Sequence, residues 1–449
     1  MIFLRRCQKT KLFTRLPAIG LKFTRQIQNL NLYQALLQTF STLFPFVLIG
    51  TLMQAIDLSI FEPDGFFASV YHIDTWLPFY DQITIPLLAL TTITIYVTTL
   101  LGIFLFSRSL ANLYHDDGQI VGGIALFVLL LLNFNYENIN DMDFQNILSF
   151  NSYGFQNLFL SLVIGAAVAY SYHALIKLNR WLLPKRLQQL TRPTPIDRSL
   201  SAIIPVSIIL LIAGIFSYLI NLTSFGNIND LLYQLFSISL TAPKTYGAVI
   251  LVSLWHNLLT FIGSPGPLNY LAQNINNAAG VANLNHALTT KNIFNVPYPV
   301  TLHTLYDTYG NFGGSGMSLA LILVLLIVVK QSEYRQIAKF SLLPSLVNLN
   351  QPLLIGLPVF FNPILLIPYM LAPLASMTIA WLFTVLKWLP AAVYDVPGTT
   401  PGFLLGFLGT NGNPMALFVS ALCLAVSGLI YYPFVKALVD LEATHENNL

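Results

Sequence analysis

The chain has 449 residues, 55% hydrophobic and 13% aromatic, with 9% charged residues and a formal net charge of +3. Soluble domains carry roughly 25% charged residues, so a chain of this length cannot cover a water-facing surface with so few, and the mean hydropathy of +0.68 agrees. A soluble globule, a disordered chain and a nucleic-acid binder are therefore disfavoured, and two cysteines, Cys7 and Cys423, cannot build a disulfide framework.

Residues 1–30 hold seven basic residues and no acid. The positive-inside rule places this end in the cytoplasm, where it can also lie on the membrane as a basic amphipathic segment. No short apolar core with a small-residue cleavage site precedes the first long run, so no signal peptide is expected. Bilayer-length apolar runs then fall at 31–56, 84–107, 119–135, 154–176, 199–222, 246–263, 314–330, 363–389 and 414–438. Loop 57–83, with Asp57, Glu62, Asp64, Asp74 and Asp81, reads as external, as does 134–153 with Glu137, Asp141 and Asp143. Loops 177–198 and 330–339 are basic and read as internal, whereas 108–118 sets Arg108 against Asp116 and Asp117. The stretch 182–198 reads as a cytoplasmic connector.

Parity requires a second crossing within 246–313, and only 246–263 is a clean span. The return lies in 264–313, rich in Gly, Pro and Asn. The stretch 340–362 is apolar yet holds Pro344, Asn348, Asn350, Gln351, Pro352, Gly356, Pro358 and Asn362. Both read as broken or re-entrant segments, since irregular backbone at membrane depth survives only inside protein or beside a wet cavity; the alternative, two polar external loops, is disfavoured because 340–362 is too apolar to face water. The expected architecture is an all-α polytopic membrane protein of about ten crossings plus re-entrant hairpins. The proline-interrupted segments point to a substrate site. Residues 31–222 suit packing and dimerisation, 223–440 carry the broken segments, and 441–449 form a cytoplasmic tail.

Between 340 and 378 there is no Asp, Glu, Lys, Arg or His. The polar side chains at the breaks are the amides of Asn348, Asn350, Gln351 and Asn362, which both donate and accept. They suit an uncharged polyhydroxyl ligand such as a sugar, and they equally suit the capping of broken helix ends. Pro352, Pro358, Pro363 and Pro368 are expected to break helices and free carbonyls. No metal or cofactor is expected.

Residues 339–373, KFSLLPSLVNLNQPLLIGLPVFFNPILLIPYMLAP, resemble the signature of the membrane IIC component of phosphotransferase-system sugar transporters of the lactose/cellobiose/chitobiose group. Lys339, Pro344, Asn348, Asn350, Pro352, Gly356, Pro358, Asn362, Pro363, Ile367 and Pro368 fall in register with it. Residues 309–323 (YGNFGGSGMSLALIL) resemble the family's Gly-Gly-x-Gly block, 396–401 (VPGTTP) its Val-Pro-Trp-Thr-Thr-Pro turn, and 191–205 (TRPTPIDRSLSAIIP) its connector. The resemblance implies a bacterial cell-membrane homodimer whose second half holds a disaccharide between re-entrant hairpins. It also implies a separate cytoplasmic IIB protein that phosphorylates the sugar in trans, so neither cysteine here is expected to carry phosphate.

Departures from the family pattern fall at its polar centre. The family's Asn-Glu-Pro carboxylate is Gln351, which hydrogen-bonds without offering a charge. Its Gly-Ile-His-Gly block aligns with Gly263-Ser264-Pro265-Gly266, so Pro265 stands where the histidine would, and Thr260 replaces the preceding Trp. Its Arg-Asp-Gly aligns with Leu37-Gln38-Thr39, and Gly398 replaces the Trp of the turn. His256 either substitutes spatially or packs between helices, and His303 is a further candidate. Pro265, Gly266, Gly314, Ser315, Thr399 and Thr400 complete the expected substrate contacts. The glycines equally suit helix packing, and the threonines capping. The expected function is sugar permeation with phosphorylation by IIB. The alternatives are a member that binds or passes sugar without phosphorylation, and a membrane sensor or partner-binding protein. An ion-coupled transporter is disfavoured by the lack of a carboxylate pair in the broken segments.

Overall fold

The computed structural model describes residues 20, 23–24, 26–95, 97–134, 136, 153–182, 195–223, 226–236, 243–269, 277–330 and 332–446. Among the described residues every regular element is helical and there is no strand. Most of the basic stretch 1–30, nearly all of loop 134–153, most of connector 182–198 and residues 447–449 lie outside that set, as does Cys7.

The helices are α1 (Asn31–Ile56), α2 (Phe66–Tyr71), α3 (Ile73–Trp76), α4 (Tyr80–Ile95), α5 (Thr98–Leu113), α6 (Gly118–Leu132), α7 (Leu158–Leu182), α8 (Pro195–Asn221) and α9 (Ile228–Phe236), followed by α10 (Tyr246–Phe261), α11 (Ala278–Thr290), α12 (Ser318–Val328), α13 (Glu333–Leu346), α14 (Gln351–Gly356), α15 (Pro363–Val385), α16 (Gly402–Gly409) and α17 (Pro414–Glu446). Two π-helical turns, Asp57–Phe61 and His303–Gly310, interrupt the pattern. Seven helical stretches are long and apolar enough to cross a bilayer: Asn31–Tyr71, Tyr80–Leu113, Phe155–Leu178, Ile196–Asn221, His303–Val328, Pro363–Val385 and Pro414–Asp440. Gly118–Leu132 and Tyr246–Phe261 are apolar but shorter. Each run expected from hydropathy falls on one of these nine. The run 84–107 lies within the stretch Tyr80–Leu113, and the last span extends as one helix to Glu446, through most of the expected tail.

Contacts divide the chain into two compact units. One comprises Ile27–Phe46 and Thr92–Ile238; here α5, α6, α7 and α8 pack against one another. Small residues let these helices approach closely: a Cβ on Gly165 would fall 2.6 Å from the Ser107 hydroxyl. Asp117 starts α6 by accepting from the Gln119 and Ile120 amides at 3.1 and 3.3 Å, satisfying N–H groups that the first turn leaves unpaired.

The second unit comprises Met1–Gln26, Val47–Thr91 and Ser239–Leu449. Its core is α15 packed along α17, with α10, α12, α16 and the 303–310 turn against them. The stretches 264–313 and 340–362 hold both helix and turn: α11 lies in the first, and the end of α13 and all of α14 in the second. Residues 311–317 turn through Gly313, Gly314 and Gly316, all with positive φ, and α13 ends at Leu346 before the short α14 and a turn at 357–362. The prolines act differently from expectation. Pro368 lies inside α15, which continues past it, and Pro352 and Pro363 lie in first turns, where a missing N–H leaves no bond unmade. Of the four, only Pro358 lies outside a helix.

Candidate functional site

Within this second unit lies a cavity of about 780 Å³. Asp64 and Ser69 come from the segment after α1, His303, Asp307 and Thr308 from the π-helical turn, and Asn311 from the loop that follows. Asn348 comes from the break after α13, and the loop Asp395–Gly398 leads towards α16. Among the described residues, three carboxylates and no Lys or Arg line it. The carboxylates come from three segments outside 340–378, which contributes the amide of Asn348. Asp307 pairs with His303 at 3.6 Å, and the Thr308 hydroxyl donates to the His303 carbonyl at 2.6 Å. Asp64 and Asp395 are the exposed members of the lining carboxylates. Among the described residues no group of three His, Cys, Asp or Glu could hold a metal ion.

The amides chiefly build the wall. Asn348 has φ +65°, a left-handed conformation that Asn tolerates better than most residues. Its oxygen accepts from the Gly313 amide at 3.1 Å, and its nitrogen donates to the carbonyls of Gly398 at 2.9 Å and Thr400 at 2.8 Å. One side chain thus joins the glycine loop to the 396–401 turn while facing the cavity. Thr399 accepts from the Phe66 amide at 2.9 Å and fixes the same turn to the acidic segment. Asn350, 8% exposed, donates to the Ser315 carbonyl at 3.2 Å, the Ser315 hydroxyl at 3.2 Å and the Ser318 hydroxyl at 2.9 Å. Tyr369 donates to the Ser315 hydroxyl at 2.6 Å, and its own hydroxyl lies 3.4 Å from that of Thr260. Glycine is required here: a Cβ on Gly314 would fall 2.7 Å from the Asn350 amide carbon, and one on Gly316 2.3 Å from the Tyr369 ring.

Of the expected contacts, Asn348 lines the cavity, as does the further candidate His303, while Asn350, Gly314 and Ser315 form an adjoining polar cluster. Asn362 caps α15, accepting from the Ile364 amide at 3.2 Å. His256 stands edge-to-face with Tyr306 at 5.6 Å and beneath Gly266, where a Cβ would fall 2.2 Å from its Nδ1. Pro265 and Gly266 are buried in the turn that leads to Leu268 on the cavity wall. Gln351 Oε1 and Thr400 Oγ1 are buried and have no hydrogen-bond partner among the described residues. Cys423 is buried, with its thiol 3.5 Å from the Ser376 carbonyl. Asp64, Ser69, Asp307, Asn311 and Asp395 were not singled out from the sequence. The available signal was His303, four residues before Asp307 in the Asn- and Pro-rich return segment.

The profile of the family described as "Phosphotransferase system, EIIC" matches residues 37–373, most of the chain. The chain belongs to that family. It is a IIC component, and such components are integral membrane proteins that bind sugar and act with a IIB protein. The chain is 25% identical, over 86% of its length and 88% of the relative's, to the oligo-beta-mannoside-specific EIIC component of Bacillus subtilis. It is 29% identical to the cellobiose-specific EIIC component of Lactococcus lactis over 56% of this chain and 55% of that one. The crystal structure of ChbC, the IIC component from the N,N'-diacetylchitobiose-specific phosphotransferase system, aligns at 21% identity over 95% of this chain and 98% of that chain. Its TM-score is 0.42, too low to match the two folds helix by helix.

Proposed function

We propose that this IIC component carries a cellobiose- or lactose-like disaccharide, or a related β-glucoside, to a separate cytoplasmic IIB protein that phosphorylates it. The observation that carries this reading is the cavity: its volume lies within the roughly 300–1,000 Å³ of small-molecule sites. Carboxylates accept strongly from hydroxyl groups, and Asn311 and Asn348 add both donors and acceptors. The names of the oligo-beta-mannoside and cellobiose relatives agree with a β-linked sugar.

In this reading the chain makes ten crossings, with re-entrant hairpins around 264–313 and 340–362. Residues 31–222 form most of the dimer contact of a homodimer, 223–440 together with Asp64 and Ser69 hold the sugar, and both termini are cytoplasmic. The contact set comprises the cavity wall with Asn348, Asn350, Gln351, Asn362, Pro265, Gly266, Gly314, Ser315, Thr399, Thr400 and His256 around it. No residue of this chain takes the phosphoryl group. Gln351, where the family pattern has a carboxylate, keeps a second reading in view, a permease that passes sugar without phosphorylation. Vesicles containing the protein and a panel of IIB partners, given labelled cellobiose and lactose, separate the readings. Accumulated sugar phosphate supports the proposal. Equilibration of free sugar alone supports the second reading. Failure of every sugar to bind overturns both and leaves a sensor or partner-binding role.

A further inference from the structure

Phosphorylation changes a sugar's chemistry more than its size. In the transfer, the bond from phosphorus to the IIB group breaks, a sugar oxygen bonds to phosphorus, and that hydroxyl's proton is lost. A group that donates and accepts becomes an ester with a charge of about −1.5 to −2 and only acceptor oxygens. Proteins hold such esters with Lys, Arg or free N–H groups. Among the described residues the cavity wall has no Lys or Arg, and its carboxylates, Asp64, Asp307 and Asp395, only accept when ionised. Its other donors are mostly spent. The Asn348 nitrogen gives its two N–H bonds to the carbonyls of Gly398 and Thr400. The Thr308 hydroxyl donates to the His303 carbonyl, and that of Ser69 to the Phe66 carbonyl at 3.1 Å. The His303 ring already faces Asp307 at 3.6 Å. Asn311 brings one more acceptor, a buried amide oxygen with no partner among the described residues.

We propose that Asp64, Asp307 and Asp395 are specificity-determining residues that exclude anionic sugars, so that phosphorylation itself ends the sugar's stay in the site. The wall holds a neutral sugar through its hydroxyl protons. A phosphoryl group removes one of those protons and sets its charge among the carboxylates, where like charges suppress binding. The product leaves and does not rebind, while the next neutral sugar does. This inference rests on the sugar reading above and adds what the site rejects.

The test measures binding of cellobiose, its phosphate ester at a primary hydroxyl and its acetate ester at the same hydroxyl to the purified full-length protein by calorimetry, with the three lactose counterparts alongside. The acetate adds bulk without charge. The wild type is expected to bind sugar and acetate within about tenfold of each other, and the phosphate about a hundredfold or more weaker. Asp64→Asn, Asp307→Asn and Asp395→Asn, singly and together, should narrow that gap by weakening the neutral sugar and strengthening the phosphate. Asp395→Glu should keep the gap, and raised salt should narrow it in the wild type by screening the exposed pair. Asp64→Asn and Asp395→Asn carry the comparison if Asp307→Asn fails to fold. A phosphate ester bound as tightly as the sugar overturns the assignment and leaves the sugar reading standing. So does an acetate rejected as strongly as the phosphate, or a gap that neither the asparagine variants nor salt narrows. Failure of every neutral sugar to bind removes both readings.

Discussion

Replacing Asn348 separates two roles that this side chain could play, holding the cavity wall and contacting the sugar. Alanine removes three hydrogen bonds, to the Gly313 amide and the Gly398 and Thr400 carbonyls. At about 0.5–1.5 kcal/mol each, with the low end apt for a half-exposed residue, this costs about 1.5–3 kcal/mol. Alanine must also adopt the φ of +65°, which adds about 1 kcal/mol relative to a residue that tolerates it. Asn348→Ala is thus expected to lose about 2.5–4 kcal/mol. Asn348→Gly, which sheds the backbone strain but not the lost bonds, should lose about 1 kcal/mol less. The assay is SDS-driven equilibrium unfolding of the purified protein in mixed micelles, followed by circular dichroism. A loss in Asn348→Ala below about 0.5 kcal/mol would refute the wall-holding account. So would an alanine variant at least as stable as the glycine variant. Unchanged stability with lost sugar binding would make Asn348 a ligand group alone.

Gly316→Ala should prevent stable folding, because its Cβ would fall 2.3 Å from the Tyr369 ring at φ +73°; size-exclusion chromatography in detergent would show aggregate in place of a monodisperse peak. Asp117→Ala should destabilise by about 1 kcal/mol through loss of the α6 cap, and a double-mutant cycle with Arg198→Ala should show coupling of less than about 1 kcal/mol, since that 3.4 Å pair is exposed. Asp395→Asn should lower sugar affinity by about tenfold through loss of a charged acceptor while leaving the unfolding midpoint unchanged; calorimetry on the same preparation reads both binding and folding.

The spans were legible because a bilayer core supplies no water to backbone groups, so every crossing must be an apolar helix. What escaped was continuity: Pro368 sits inside an unbroken α15. The positions of the breaks at 311–317 and 347–350 were readable from Gly and Asn, whose left-handed backbones they use. The site was harder to read. Asn350 and Asn362 bond to their own scaffold, a capping role that amides serve as readily as ligand contact. The cavity carboxylates at 64, 307 and 395 are hundreds of residues apart at the extremes, and only folding gathers them. The two compact units likewise do not follow chain order, since Val47–Thr91 groups with Ser239–Leu449.

The asymmetry among the glycines has an evolutionary consequence. Gly314 and Gly316 admit no replacement without displacing Asn350 or Tyr369, so that loop is frozen under drift. Gly398, on the opposite anchor of the same Asn348, is free to vary without disturbing the bonds that Asn348 makes to backbone. A change at that single codon therefore leaves the bonds of the scaffold intact.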